Sequence, residues 1–320
     1  MCLISIITPS LNRAAYVTEA IESVLRQDHP DFEHLVVDGG SADETLEILN
    51  RYPHLRVISE PDRGLYDAIN KGLRLASGEI IGLLNTDDLY EDDIFATIQR
   101  IFRDNPEVAA VVGGSTIFRE TRNRRRETVA IFSALPDEHL LDQVSSGLPP
   151  FNGWFFRKNI FDRIGYFDLR YRYSADRDFL IRMALIGEKY VSVDKILYHY
   201  RQHAGSLTFN NSGSAESDFI FENRALAEDY LSRKDLPPEA SRKILSWHSQ
   251  LTAEQVLFAI SRGNLRKTIA YARRGLRFNK GWPWIFMKNI PPSARRIWKR
   301  NLSRMRVHIS GRPAPVRHER

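Results

Sequence analysis

Apolar residues along this chain fall into short β-branched runs that alternate with stretches of helical spacing. Residues 3–8, Leu-Ile-Ser-Ile-Ile-Thr, form the first run, closed by Pro9 and a polar loop over 10–13. Ala20, Ile21, Val24 and Leu25 then share one helical face, which predicts a helix over 15–27. The alternation continues with a strand over 32–38 and a helix carrying Leu46, Ile48 and Leu49, which Ser41 or Asp43 can cap. A strand over 55–59, a helix over 65–76 and a strand over 80–84 follow. Next come a helix over 92–102, a strand over 108–112 and a hairpin over 115–132 around the basic turn 122–126. Such regular alternation predicts an α/β fold with a parallel sheet covered on both faces. From residue 214 the pattern is helical, over 219–231, 241–260 and 264–278, the last two joined as a hairpin at Gly263-Asn264. The expected organisation is an α/β domain over 1–210 and a helical extension over 211–320.

Each early strand ends in polar residues: Thr8-Pro9-Ser10, Asp38-Gly39-Gly40-Ser41, Glu60-Pro61-Asp62 and Asn85-Thr86-Asp87-Asp88. In a parallel sheet these ends lie along one rim, where open α/β sheets bind ligands. Asp87 and Asp88 repel each other there, and a divalent cation relieves that repulsion. Mg²⁺ or Mn²⁺ typically takes one or two carboxylates together with substrate phosphates. The competing reading is that the acids over 88–93 cap the next helix. No Gly-x-Gly-x-x-Gly follows the first strand and no Gly-Lys-Ser/Thr loop occurs, which argues against a dinucleotide-binding dehydrogenase and a P-loop nucleotidase.

Three further places carry candidate chemistry. Asp176 opens a helix marked by Phe179, Arg182, Met183 and Ile186; it is either an N-cap or a proton acceptor for a bound hydroxyl. His199 and His203 flank Arg201 after a strand, as structural groups or as metal or phosphate contacts. The aromatic segment 149–156, which includes Trp154, is either buried packing or a platform for a sugar ring.

Composition narrows the setting. With 42% hydrophobic and 27% charged residues in 320, the chain reads as soluble and globular. A single cysteine, Cys2, excludes an internal disulfide and fits a reducing compartment. No secretory leader and no membrane-length apolar run are visible, so a cytoplasmic protein is expected. The net charge of +6 is uneven: from Arg262 onward 17 Lys or Arg stand against one acid, Glu319, leaving 29 basic and 39 acidic residues before it. Trp282, Trp284 and the basic residues after them suit an anionic membrane surface, and equally a solvated basic helix.

Together these stretches resemble family 2 glycosyltransferases of the GT-A fold. The matching pieces are Ser5 to Asn12, Val36 to Thr45, Ser59 to Gly72, Ala76 to Asp88, Ala175-Asp176-Arg177-Asp178 with Arg182, and Tyr200 to His203. They cover about two-thirds of the chain in the family's order. The resemblance implies a nucleotide-diphospho-sugar transferase with a mostly parallel central sheet flanked by helices. It implies transfer of a sugar to a hydroxyl with inversion, aided by Mn²⁺ or Mg²⁺. Asp87 and Asp88 match the acidic metal motif, the second carboxylate on the ion and the first toward the ribose or the metal's shell. Asp176 matches the general base. Thr8, Pro9, Ser10, Asn12, Arg13, Asp38, Gly39 and Asp62 match donor-binding positions, with Arg63 and Lys71 toward the diphosphate. Arg201 and His203, in the matched Tyr200-to-His203 piece, and Trp154, as the candidate sugar platform, are the expected acceptor contacts. Many relatives carry two acids where this chain has Asp38-Gly39, and an aromatic residue at Leu11, so the base is open although a UDP-sugar is favoured. The acceptor is expected to be a glycan or lipid-linked hydroxyl, with the enzyme peripheral at the inner membrane face and no nucleic-acid partner. A sugar-phosphate nucleotidyltransferase and a noncatalytic nucleotide-sugar or membrane binder are the alternatives.

Overall fold

In the computed structural model, residues 3–121, 123, 125–134, 140–146, 151–206 and 215–284 are described. The elements are β1 (Ile4–Ser10), α1 (Val17–Leu25), β2 (Phe32–Asp38), α2 (Thr45–Leu49), β3 (Leu55–Ser59), α3 (Leu65–Leu75), β4 (Ile80–Leu83) and β5 (Leu89–Tyr90). Then come α4 (Phe95–Asp104), β6 (Ala110–Glu120), β7 (Arg126–Phe132), α5 (Leu140–Ser146), β8 (Trp154–Arg157), α6 (Asn159–Ile164), α7 (Ala175–Leu185) and β9 (Tyr190–Arg201). Helices α8 (Ala215–Leu231), α9 (Pro238–Ser261) and α10 (Leu265–Phe278) follow.

One sheet runs in the order β3-β2-β1-β4-β8-β6-β9-β5, with β7 added against β6. Strands β3, β2, β1 and β4 are mutually parallel, and the sheet is mixed beyond β4. All seven residues of β1 are buried, since it has a strand on each edge and helices over the sheet. That double burial is why its sequence reads as a nearly continuous apolar run. Helix α3 lays Ala68, Ile69, Gly72 and Leu73 inward, and a side chain at Gly72 would collide with Ile7 of β1. Burying Ile69 and Leu73 contributes roughly 1.5–3 kcal/mol each. The parallel pairing brings Ser10 beside Asp38 and Asp38 beside Ser59, so the carboxyl ends form a common rim.

Three expectations change. The helix expected over 92–102 begins later, because Leu89 and Tyr90 first pair antiparallel with His199 and Tyr198 of β9. Its N-cap is Ile94, with no side-chain cap, so Asp87 and Asp88 are not capping groups. Strand β6 does not stop before Gly113-Gly114 but continues to Glu120; at Gly113 the approach of Leu197 leaves no room for a side chain. The hairpin is β6–β7, and turn residues 122 and 124 lie outside the described residues.

The chain divides into two compact units, Met1–Trp247 and His248–Arg320. Helix α8 therefore belongs with the α/β unit, beyond the boundary expected near 210. In the second unit Asn264 caps α10 by accepting the Lys267 N–H at 3.0 Å, and Ala253, Val256 and Trp282 form a small core. No helix among the described residues is long and apolar enough to cross a membrane. The basic stretch 285–320 lies outside the described residues.

Candidate active site

The site starts where β4 ends. Leu84 donates its N–H to Ile7 O, and the chain then turns through Asn85-Thr86-Asp87-Asp88, closed by the Asp88 N–H on Asn85 O at 3.1 Å. The two aspartates part company in this turn. Asp88 is 1% exposed; its Oδ2 accepts from Tyr198 OH at 2.5 Å and Asn85 Nδ2 at 3.1 Å, and its Oδ1 from Arg201 N at 2.7 Å. Burial, then the charge of Asp87, pushes the Asp88 carboxyl up to about 8. Asp87 keeps its carboxylate partly open, with Oδ2 2.9 Å from His203 Nε2 and 3.8 Å from Arg13 Nε. The geometry thus reverses the expected order: Asp87 faces the rim, and Asp88 braces the turn from behind.

Arg201 was expected near an acceptor, but it is 2% exposed and fully engaged. Its N–H holds Asp88, its Nε donates to Asp87 O at 2.8 Å, and its guanidinium pairs with Glu19 at 2.9 Å and with Glu120. It organises the Asn85–Asp88 turn instead. His203 stands beside it, its ring 4.7 Å from that of Tyr16 and its Nδ1 accepting the Gly205 N–H at 3.1 Å.

The other rim loops are tied to one another. After β1, Asn12 adopts φ 53°, donates its N–H to Ser41 Oγ at 2.7 Å and accepts the Ala42 N–H at 2.8 Å. Its amide oxygen is thereby spent on the neighbouring loop. Arg13 donates its N–H to Thr45 Oγ1 at 2.8 Å, which leaves its guanidinium aimed at Asp87. Thr8 Oγ1 turns inward to His34 Nε2 at 2.9 Å, so its side chain is no donor contact. Burial and the neighbouring His54 push His34 down to about 3, which keeps this pair neutral. Pro9 lends its carbonyl to Thr86 at 3.4 Å. Ser10 Oγ is buried with no protein partner, a hydroxyl left for a ligand or water at the end of β1.

Asp38 corrects another expectation. Its carboxylate is fully buried and accepts from Gly40 N at 3.0 Å, Ser41 N at 2.9 Å, Ser41 Oγ at 2.5 Å and Ser59 Oγ at 2.8 Å. It clamps the loop after β2 to the end of β3. A side chain at Gly39 would collide with the Asp62 carboxylate, so Asp62 fills the space beside Asp38. Asp62 also accepts the Gly64 N–H at 2.8 Å. Arg63 is largely exposed and loosely paired with Asp67 at 3.5 Å. Lys71 does not point at a diphosphate: its ammonium is held by Glu60 and Pro61 O, each at 2.8 Å.

Asp176 lies in the first turn of α7, and its Oδ1 accepts the Arg177 N–H at 2.7 Å. Burial raises its carboxyl above the ordinary range, opposed by the Arg177 charge and by a hydrogen bond from Tyr66. Tyr66 sits at the start of α3, directly after the loop that follows β3, and its phenol is hydrogen-bonded to Asp176. Sequence reasoning did not single out Tyr66, although it lies within the Gly64-to-Gly72 segment. It also missed Glu222 of α8, which accepts the N–H groups of Arg172 at 2.8 Å, Tyr173 at 2.5 Å and Ser174 at 2.7 Å. No local pattern marks that carboxylate as a partner of α7.

Trp154 is fully buried, stacked on Phe156 at 5.8 Å and tilted against Tyr190 at 5.3 Å. It is core, and no sugar can reach its face. Among the described residues no group of three or more His, Cys, Asp or Glu gathers round one point. The donor set that does face the rim is Asp87 with His203, a carboxylate and an imidazole. That suits an ion which takes few protein ligands and completes its shell with phosphate oxygens.

Comparison with known proteins bears on the family and the fold. The family described as Glycosyl transferase family 2 matches residues 5–165. A PGL/p-HBAD biosynthesis glycosyltransferase of Mycobacterium bovis is 38% identical over 186 residues, 56% of this chain and 69% of that protein. Among solved structures, residues 1–349 of S. aureus TarS in complex with UDP-GlcNAc superpose with a TM-score of 0.62 at 21% identity, covering 86% of this chain and 81% of that one. The mannosyltransferase PcManGT of Pyrobaculum calidifontis, in complex with GDP-Man and Mn²⁺, gives 0.56 at 17% identity, covering 89% and 83%.

Proposed function

The chain belongs to glycosyl transferase family 2, and from that premise we propose a metal-dependent, inverting transfer of a sugar from a nucleoside diphosphate donor to a hydroxyl. What supports the reading is an open carboxylate, Asp87 beside His203, together with a buried carboxyl, Asp176 beside Tyr66. Asp87 and His203 are the residues that would hold Mn²⁺ or Mg²⁺. When bound, such an ion supplies Lewis-acid stabilisation to the departing diphosphate.

The remaining work falls to the chain's own groups. In this reading Ser10, Asp62 and Arg63 bind the donor nucleotide, and Arg13, 3.8 Å from Asp87, meets a phosphate. Asp176 takes the proton from the acceptor hydroxyl as its oxygen bonds to the anomeric carbon, while the carbon–oxygen bond to the diphosphate breaks on the opposite face. One base is enough for inversion, and no covalent intermediate is required. A carboxyl raised by burial is a better proton acceptor than an ordinary one once ionised.

For the donor we favour a UDP-sugar, in keeping with the TarS complex. The acceptor is a glycan or lipid-linked hydroxyl, and the protein works peripherally at the inner face of a membrane. The basic C-terminal stretch supports that setting. Release of free nucleoside diphosphate from UDP-, GDP- and dTDP-sugars with Mn²⁺ is the test. Turnover is expected, fastest with UDP, and a failure with all three alongside sugar-nucleotide synthesis from a nucleoside triphosphate would point to a nucleotidyltransferase.

A further inference from the structure

Helix α10 carries a surface that the transfer reaction does not use. From 248 to 284 the chain has seven Lys or Arg and one acid, Glu254. On α10 itself there is no acid, and Arg266, Lys267, Arg273, Arg274 and Arg277 are all exposed. Leu265, Ile269 and Leu276 are exposed too, at 49%, 44% and 43%. At 3.6 residues per turn these three fall within about 40° of one another round the helix. Arg273, Arg266 and Arg277 flank that stripe at about 80–120°. The packing side of α10 borders the other edge of the stripe, with Gly275 about 80° from Leu265 and against Thr252 and Trp282, while Lys267 and Arg274 lie at about 180–200°. Just beyond the helix, Trp284 is 71% exposed.

We propose that this face of α10 lies on an anionic lipid surface, with the Leu265–Ile269–Leu276 stripe in the acyl boundary and the arginines at the headgroups. Charge complementarity selects the partner: a helix with five cations and no acid, three of them beside the stripe, is attracted to a negative plane. The apolar stripe separates a membrane from a nucleic acid, because phosphate backbones offer nothing to bury Leu or Ile against, whereas amphipathic surface helices present this pairing. Arg and Lys stems can lie along the boundary while their heads stay in water. The proposal rests on the glycosyltransferase reading only for its purpose, which is to hold the enzyme where a lipid-linked hydroxyl is presented.

The test is flotation of the full chain with phosphatidylcholine vesicles, with and without phosphatidylglycerol. The wild type is expected to float with the anionic vesicles alone. Arg266→Gln with Arg273→Gln should weaken that partitioning about thirtyfold, at roughly fivefold per charge. Leu265→Ser with Ile269→Ser should weaken it at least about tenfold. All four positions are exposed, so donor turnover without vesicles should be equal in the three proteins, which reports folding and tests the catalytic reading separately. Wild type that stays at the bottom of the gradient overturns the proposal, as do variants that float like wild type. Duplex DNA binding that survives the Leu265/Ile269 change and is lost with the arginines would also overturn it, in favour of a nucleic-acid surface.

Discussion

Tyr198 of β9 donates its hydroxyl to Asp88 Oδ2 at 2.5 Å, while Asn152 Nδ2 donates to the same hydroxyl at 2.9 Å. This buried relay fixes Asp88 behind the turn and leaves Asp87 in front. Tyr198→Phe removes one donor from a buried carboxyl and should cost about 1–3 kcal/mol of stability. Asp88 also has a sign to its pH dependence. Its folded pKa of about 8 lies above the ordinary carboxylate value, so the folded state binds more protons between about pH 4 and 8. Stability from this group therefore falls as pH rises through that window. In protein free of divalent ions, wild type should lose melting temperature from pH 5 to 8 more steeply than Asp88→Asn. Parallel curves would show that Asp88 is ionised throughout.

Asp87 and His203 make a separate prediction, because they share one contact of 2.9 Å and both border the rim. Asp87→Asn and His203→Ala should each weaken Mn²⁺-dependent UDP binding by at least about tenfold. Binding of UDP without metal should change little. Titration calorimetry with and without Mn²⁺ reads both. Equal weakening in the two conditions would make the pair a nucleotide contact and not a metal site.

Much of this was legible from the chain alone, and the rest has identifiable physical causes. The strand β1 and the face of α3 announced themselves because both-sided burial leaves little freedom in composition. Asp87 and Asp88 stood out as neighbouring acids after an apolar strand. Which of them turns inward was not legible, since Tyr198 and Arg201 make the decision from 110 and 113 residues away. Asp38 looked like a ligand group for the same reason: its four donors come partly from Ser59, on another strand. Trp154 left both readings open, because an aromatic run looks alike in a core and on a platform. Helix α8 was legible as a helix, whereas the contacts of its Glu222 and Tyr230 with Ser174 and Asp178 are invisible to periodicity.

Asp176 should set the acid limb of the rate profile. A carboxyl raised by burial keeps its proton to a higher pH than an ordinary one, and the protonated form cannot act as base. Transfer should therefore rise with pH and reach half its plateau above the ordinary carboxylate range. Asp176→Asn should lower transfer about 100- to 10,000-fold while leaving donor affinity near wild type. Initial rates from pH 4 to 9, with donor binding measured in parallel, check both parts. A profile without an acid limb would remove Asp176 from the chemistry.

Glu222 is predicted to position that base without touching the substrate. One carboxylate holds three successive N–H groups, those of Arg172, Tyr173 and Ser174, immediately before α7 begins. Its Oε1 serves Tyr173 and Ser174, and its Oε2 serves Arg172. Glu222→Gln keeps an oxygen for two of the three donors, whereas Glu222→Ala keeps none. If α8 sets the height of Asp176 above the acceptor, the alanine variant should lose up to about a hundredfold in kcat with the donor KM unchanged, since misplacement by about 1 Å is that costly. The glutamine variant should recover most of that loss. A role confined to stability would lower the melting temperature of both variants and leave kcat of the folded fraction intact, and that result would separate Glu222 from the reaction.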